Sequence, residues 1–599
     1  RGSSVRSRQG PQLFLQYCES DANMSSKLKM QKGSNLFLPI SIALSGTLCT
    51  LLVSPFISFE PINLVKLFAL VSGAGLLLPD SIRLVRSMKW GKNLKSLYLL
   101  LLLLFALTLA VNIIVYRSDF ISNFYGVFGR NNGTLSYLAI VIIALSSIFI
   151  VSEHLSMVLR FFEVSANLVL VYAIIQLLGL DPVDWSGEGP FSTLGNLNFS
   201  AAFLAMHSSY LLVRILLSHV LPWHTRTWYS LILLIEIYVI WRTTSIQGLA
   251  ILAINLTLIS IRVISKFRSK VQLTLLGFSL MAGIMVFVGS IGIGIFSKLR
   301  QETMLFRVDY WSAGLSMLRE FPIFGLGFDN YGNYYREYRN FTAANRNYFD
   351  RTANTAHNIP IDVAVGGGLL SGLIYLAILI LVSIVAARVI LNSKDISSIL
   401  LSVVSIGFIF QQFVSINQIG TAVWGWIFLS LLVNRHYSLT NNSDSPDLGK
   451  SSSLELKKQK SSSSFRSKPA SQNGSLLFMR MASGLTGLVI GLIPLQADAR
   501  FFQVIKQPDL NRQWLIAKGV GGNQFLMEYV LKNAVTSNDP KLIYEFAKLT
   551  SERYPRSFYA WSVRAGLVTS SMTERQSALD ILRSLDPLNT EIPIRPIQG

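Results

Sequence analysis

Thirteen apolar runs divide the chain, near residues 36–58, 63–81, 97–115, 135–153, 156–178, 199–217, 227–241, 246–261, 272–296, 368–391, 397–416, 420–434 and 476–495. A helix needs about 20 apolar residues to cross a bilayer, and because 63–81, 227–241 and 420–434 are short or polar, the pattern predicts about 12–13 spanning helices. The runs are continuous and rich in Leu and Ile rather than alternating, so strands of a membrane barrel are not expected. Between the ninth and tenth runs lies a polar segment, 298–366, dense in arginine and aromatic residues. From Thr303 to Arg319 the residues Phe306, Tyr310, Leu315 and Leu318 recur near helical spacing, with Trp311 beside them. This predicts an amphipathic helix in the interface plane, its aromatic face in lipid and Arg300 and Arg307 toward a cavity. Pro322, Gly325 and Gly327 then end that helix and allow a tight backbone turn. Tyr331, Tyr334, Tyr335 and Tyr338 follow, suited equally to sugar faces or to an aromatic interface belt.

The pattern divides the chain into five parts. Residues 1–35 form a polar amino-terminal segment, expected to be cytoplasmic and too polar for a cleavable signal sequence. Met24 reads as a more natural beginning than Arg1, so 1–23 are left out of the fold reasoning. Residues 36–434 form the membrane core, with 298–366 as its external loop. Residues 435–474 are a Ser/Lys-rich stretch expected to be a flexible linker. A last span at 475–497 leads to a small soluble helical domain at 498–599. There Pro555 and Pro587 are separated by about one tetratricopeptide period, with Ala547, Trp561 and Ala578 at packing positions. The fold class is all-α: a polytopic helical membrane protein with a large external loop and a small helical carboxy-terminal domain.

Composition agrees. Of 599 residues, 51% are hydrophobic and only 14% charged, against about a quarter charged in soluble domains. The net charge of +21 reads as basic loops facing anionic lipid rather than as a nucleic-acid surface, since no compact basic domain is visible. Lys27, Lys29 and Lys32, the cluster Arg83 to Lys95, the cluster Arg262 to Lys270, and the basic residues from Arg435 to Lys468 all fall on one side when the spans alternate from a cytoplasmic start. The loop around Arg130, the loop 179–198, the turn at Arg242 and the 298–366 segment fall on the other side, expected to be external. An arginine-rich external loop runs against the positive-inside tendency and points to an anionic ligand.

The candidate chemistry lies on that side. Several guanidinium groups suit a diphosphate, because each can bond two phosphate oxygens; Arg307, Arg130 in FGRNNGTL and Arg242 in WRTTSIQGLAIL are the candidates, with Arg300 beside them. His357 stands at the membrane surface, where an imidazole can exchange a proton near neutral pH. Cys18 and Cys49 sit in neither a metal-spaced nor a redox motif. There is no Walker loop, no metal-type carboxylate motif and no nucleophile elbow, so neither a metal nor a cofactor is expected.

Together these residues resemble the O-antigen ligase/polymerase superfamily. The resemblance lies in the order Arg307, Trp311, Pro322, Gly325, Gly327, His357 and Asn358, preceded by FGRNNGTL and by STLGNLNFSAAFLA with Gly195, Asn196 and Asn198. It covers roughly residues 36–434. Many members carry Thr-x-Ser-Arg-Gly at the start of a middle span; here Thr244-Ser245-Ile246-Gln247-Gly248 stands there, so Gln247 replaces the arginine or Arg242 supplies its charge. The resemblance implies a metal-independent glycosyltransferase on the external face of a bacterial inner membrane, acting as ligase or polymerase. Its donor would be a polyprenyl-diphosphate-linked glycan, its acceptor a lipid, glycan or protein, and membrane lipid its surroundings. It assigns Arg307 and His357 to catalysis and Arg130, Arg242, Gln247, Asn196, Asn358 and Arg300 to substrate binding. The carboxy-terminal domain would recruit a protein partner, and nucleic acid would play no part. The alternative reading is a transporter of a small anion, bicarbonate-like, or of a lipid-linked sugar, its external arginines recruiting the cargo.

Overall fold

The computed structural model describes residues 36–116, 120–185, 187–218, 220–264, 301–346, 352–443, 470–537 and 539–595, with a few isolated positions between 274 and 285. The amino-terminal segment, the ninth apolar run, Arg300 and most of the linker lie outside the described residues. Among the described residues every regular element is helical.

The membrane core begins with α1 (Phe37–Leu51), α2 (Asn63–Ser87), α3 (Leu94–Val115), the short α4 (Phe120–Tyr125), α5 (Thr134–Ser147) and α6 (Leu155–Leu177). It continues with α7 (Leu197–Leu217), α8 (Trp223–Arg242) and α9 (Ile246–Val263). The polar loop contributes α10 (Glu302–Glu320), α11 (Tyr331–Tyr338) and α12 (Phe341–Arg346). Helices α13 (Ile359–Asn392), α14 (Ile396–Val414) and α15 (Ile419–Ser443) close the core, and α16 (Ala470–Val504) follows. Eight described helices are long and apolar enough to cross a bilayer, fewer than the runs suggested. Two others, α1 and α5, are apolar but shorter. Helices α8 and α15 carry Arg226, Glu236 and Arg242, and Arg435, which lower their apolarity while they pack on the apolar core.

Backbone approach explains how α16 docks. A Cβ on Gly487 would stand 2.5 Å from the Val71 carbonyl, and one on Gly75 2.5 Å from that of Ser483, so small residues let the two helices touch along their backbones, as membrane helices do. Arg480 pins the far end, donating to both Asp80 carboxylate oxygens at 2.7 and 2.8 Å. At the loop-bearing end, the Asp498 carboxylate of α16 accepts from the Phe59 and Glu60 amides at 2.8 and 3.1 Å. Helix α16 thus runs without interruption into the carboxy-terminal domain, a series of short helices: α17 (Leu510–Ala517), α18 (Gln524–Ser537), α19 (Pro540–Arg553), α20 (Phe558–Gly566) and α21 (Met572–Leu585). Ala547 and Ala578 are fully buried between them.

One kink positions the site. Helix α13 breaks at Gly368, where φ is 83° and ψ 171°. The Pro322–Gly327 turn fills the break: Leu369 N donates to Pro322 O at 2.7 Å, Leu326 N to Val365 O at 2.8 Å and Gly327 N to Gly366 O at 3.0 Å. Asn112 of α3 donates to Gly366 O at 3.0 Å and to Phe324 O at 3.2 Å. Backbone groups that a straight helix would have paired are thereby satisfied from the loop. A Cβ on Gly368 would lie 2.1 Å from Ile323 O, in a backbone conformation that side chains disfavour. Gly368→Ala is expected to destabilise the protein by about 3 kcal/mol, read as a clear fall in the thermal unfolding midpoint of the detergent-solubilised chain.

Candidate functional site

The loop-bearing end of the helices is a set of turns tied together by backbone and amide hydrogen bonds. Thr50 O accepts from Lys66 Nζ at 2.6 Å and from Thr193 Oγ1 at 2.9 Å, and Asn63 Nδ2 reaches Gly129 O at 2.7 Å. Asn132 and Asn417 exchange amide bonds at 2.8 and 3.2 Å. Over this floor lies α10. Its buried residues are Met304, Asp309, Ala313, Gly314 and Met317, and Tyr310 and Trp311 pack against buried Tyr331, Tyr335 and Ala356. The aromatic face expected to enter lipid is therefore turned onto the protein, because the loop supplies its own aromatic partners.

His357 occupies the turn before α13, with a left-handed backbone, φ 53°. Its ring lies 5.5 Å from that of Tyr310, and Nδ1 faces Thr355 Oγ1 at 3.3 Å; no described residue hydrogen-bonds Nε2. Burial first, and then the Arg130 and Arg307 guanidiniums, push the imidazole down to about 4. At neutral pH it is an uncharged base. Asn358 caps α13: its Oδ1 accepts from Ile361 N at 3.1 Å and its Nδ2 donates to Phe413 O at 3.0 Å. Both ends of that amide hold the protein together, so Asn358 fixes the turn that carries His357.

Arg130 and Arg307 converge on His357 electrostatically from different elements. Arg130 comes from the turn between α4 and α5, and its Nη1 is buried without a hydrogen-bond partner among the described residues. The charges of Asp329 and Asp362 act on it, neither within ion-pair distance. Arg307 rests Nη1 on Met304 Sδ at 3.1 Å and has no carboxylate partner among the described residues. The other loop arginines differ. Arg346 pairs with Asp309 at 2.9 Å, Arg336 and Arg339 bind Asp586, and Arg319 is exposed. The expectation that the whole arginine-rich loop serves a ligand is thus narrowed: among its described arginines, Arg307 is the one whose charge bears on His357.

The remaining candidates are arranged as follows. Arg242 ends α8, exposed, donating to Tyr238 Oη on its own helix at 3.1 Å. Gln247, at the start of α9, is buried with both amide atoms unpartnered among the described residues, which suits a polar ligand better than the exposed arginine five residues earlier does. Asn196 caps α7 by accepting from Asn198 N at 2.9 Å, while Asn198 accepts from Ser245 Oγ at 2.7 Å and links α7 to α9.

Sequence reasoning missed two acids. Asp329, itself left-handed at φ 61°, accepts from Val127 N at 2.7 Å and Asn132 N at 3.2 Å. It staples the Arg130 turn to the Pro-x-x-Gly-x-Gly turn, and burial raises its carboxyl to about 6 against the pull of those amides and of Arg130. Asp362 accepts from Ala356 N at 2.7 Å and shapes the approach to His357. Between them a cavity of about 20 Å³, lined by Asn132, Tyr137, Asp329, Thr355, Asp362 and Asn417, has room for one water molecule. The signal for Asp329 was its place directly after Gly-Leu-Gly-Phe, where a turn needs a carboxylate to bind its amides.

Residues 228–376 fit the family model described as O-Antigen ligase, a stretch that contains Arg242, Gln247, Arg307, His357 and Asn358 but neither Arg130 nor Asn196. No curated protein matches the chain.

Proposed function

On the premise that this multi-pass membrane protein belongs to the O-antigen ligase superfamily through residues 228–376, we propose that it is a metal-independent glycosyltransferase working on a polyprenyl-diphosphate-linked glycan. The loop-bearing face would be the external face of a bacterial inner membrane. The observation that carries the reading is a pair of guanidiniums with no ion-pair partner among the described residues, Arg130 and Arg307, whose charges both act on the imidazole of the turn before α13.

In this reading the donor diphosphate lies against Arg307 and Arg130. His357 Nε2 takes the proton of the acceptor hydroxyl, with Nδ1 held toward Thr355. The acceptor oxygen attacks the anomeric carbon, the bond from that carbon to the diphosphate oxygen breaks, and polyprenyl diphosphate leaves with its charge on the arginines. Fixed cations can do here what a divalent ion does elsewhere, since the leaving group needs charge rather than a particular ion. Gln247, buried with a free amide, hydrogen-bonds the donor. Arg242, exposed at the rim, binds its outer charge, and Arg300 and Asn196 remain candidates for the glycan. The Asp329 carboxylate keeps Arg130 in place.

The full chain in lipid nanodiscs is expected to bind undecaprenyl diphosphate at least about tenfold more tightly than undecaprenyl monophosphate, one extra charge-assisted contact being worth about 1.5 kcal/mol or more. Transfer from an undecaprenyl-diphosphate-linked oligosaccharide should proceed unchanged in chelator. Equal binding of the two lipids, or transfer lost in chelator and restored by magnesium, overturns the proposal.

A further inference from the structure

Helix α11 is only eight residues long, far too short to persist by its own hydrogen bonds, and its two faces have different occupants. Inward, Tyr331 Oη donates to Tyr310 O at 2.6 Å and the Tyr335 ring packs edge-on against Tyr310 at 5.6 Å. Tyr310 in turn packs on His357. Outward, the helix is gripped by the carboxy-terminal domain. Asp586, just past α21, has a side chain fully removed from solvent. Arg339 Nη2 donates to both its oxygens at 2.8 Å, and Arg336 Nη1 donates to one at 3.1 Å. Arg556 lies 3.5 Å over the Tyr334 ring, donates to Asn333 O at 3.2 Å and pairs with Glu337.

The gripping domain is itself fastened to the membrane core. Asp498 holds the Phe59–Glu60 turn, and the Phe59 ring sits among Phe501, Phe525 and Tyr529 of the domain and Phe128 of the Arg130 turn. A carboxylate buried between guanidiniums is costly to separate, because either charge would be left unpaired. The contacts therefore run in one line: membrane core, carboxy-terminal domain, Asp586 and Arg556, α11, Tyr310, His357.

We propose that the carboxy-terminal domain sets the position of His357 through α11, and that Asp586 and Arg556 are positioning residues for glycan transfer. The catalytic half of this statement rests on His357 acting as the base, as argued above. The domain's part is intramolecular: it is a fixed brace on the loop. A small displacement of a base, about 1 Å, suffices to slow a reaction on the order of 10²-fold.

The test uses the full chain in lipid nanodiscs, with Asp586→Asn, Arg556→Gln and Asp586→Glu. Two quantities are read: the rate at which diethylpyrocarbonate modifies His357, followed by peptide mass spectrometry, and the kinetics of transfer from an undecaprenyl-diphosphate-linked oligosaccharide. Asp586→Asn and Arg556→Gln are expected to speed modification of His357 several-fold and to lower kcat by about 10–10²-fold with KM for the donor little changed. Asp586→Glu should recover most of both. Arg556 is partly exposed, so its variant reports even if loss of the buried Asp586 pair unfolds the domain. Wild-type modification rates in both Asp586→Asn and Arg556→Gln overturn the positioning role, whatever happens to transfer. His357→Ala separates the two ideas. If that variant still transfers glycan, the assignment of the base falls and the modification rates alone decide the brace. If it is inactive while Asp586→Asn and Arg556→Gln match the wild type in both readouts, only the brace falls.

Discussion

Arg307→Ala is expected to lower kcat for glycan transfer by about 10²–10³-fold, the usual cost of removing one preorganised donor from developing negative charge. The size follows from what surrounds the guanidinium. It has no described carboxylate to neutralise it and rests on a methionine sulfur, so its charge is available to a leaving diphosphate. Lysine at this position should recover only part of the rate, since a point charge does not reproduce a planar fork on two phosphate oxygens. Arg130→Ala is expected to fall in the same range. The double variant should be less than the product of the two, because the residues act on one charge together. Arg319→Ala, exposed on the same helix, is the control and should stay within about twofold, as surface substitutions do. Arg346→Ala should act differently again: it strips a partner from buried Asp309, lowering stability before it touches kcat. Steady-state kinetics of these variants under saturating donor decide the matter, and a kcat for Arg307→Ala within threefold of wild type removes the arginine from the mechanism.

The unequal fates of these arginines show what the sequence could and could not disclose. Periodicity and length give the helices of the core, because a bilayer demands long apolar runs whatever their neighbours are. Local backbone chemistry is also legible: Pro322, Gly325 and Gly327 announce a turn, and that turn is there. The partner of the turn is not legible. Its backbone pairs with Val365 and Gly366 across a break in α13, a contact set by tertiary packing. The same holds for charge. Arg307, Arg336, Arg339 and Arg346 look alike along the chain, yet Asp586, almost 250 residues away in sequence, takes two of them, and Asp309 takes a third. Tyr331 and Tyr335 were candidates for sugar faces, but they are buried under Tyr310. Gln247 is the reverse case. A departure from the family pattern in sequence becomes, in the structure, a buried amide with no partner among the described residues, which is the condition in which a ligand gains most from a hydrogen bond.

The pH dependence of transfer should carry the signature of the same arginines. In the free protein His357 is held down to about 4 by burial and then by Arg130 and Arg307, with Tyr310 and Thr355 packed against it, Asp362 bonded to the preceding Ala356 amide and Asp329 on the amides of the Arg130 turn. The acid limb of kcat/KM reports the free protein, so His357 should remain an active base far below its ordinary value near 6.5. Donor binding brings negative charge onto both guanidiniums and cancels part of their effect. The acid limb of kcat is therefore expected at higher pH than that of kcat/KM. Arg307→Ala removes one of the depressing charges and should move the kcat/KM limb upward. Folding stability must be read with opposite signs for two groups. His357, depressed in the folded state, takes up protons only on unfolding between about 4 and 6.5, so its contribution to stability rises with pH through that window and is a penalty below it. Asp329, raised to about 6, binds its proton more tightly when folded, so its contribution falls as pH rises toward 6. The two nearly oppose one another in the wild type. His357→Gln removes the first and leaves the second, so this variant should gain stability relative to wild type at pH 4 and lose that advantage by pH 6.5. Thermal unfolding of the two proteins across this range measures it, and an advantage that does not change with pH would mean that His357 is not held neutral in the folded site.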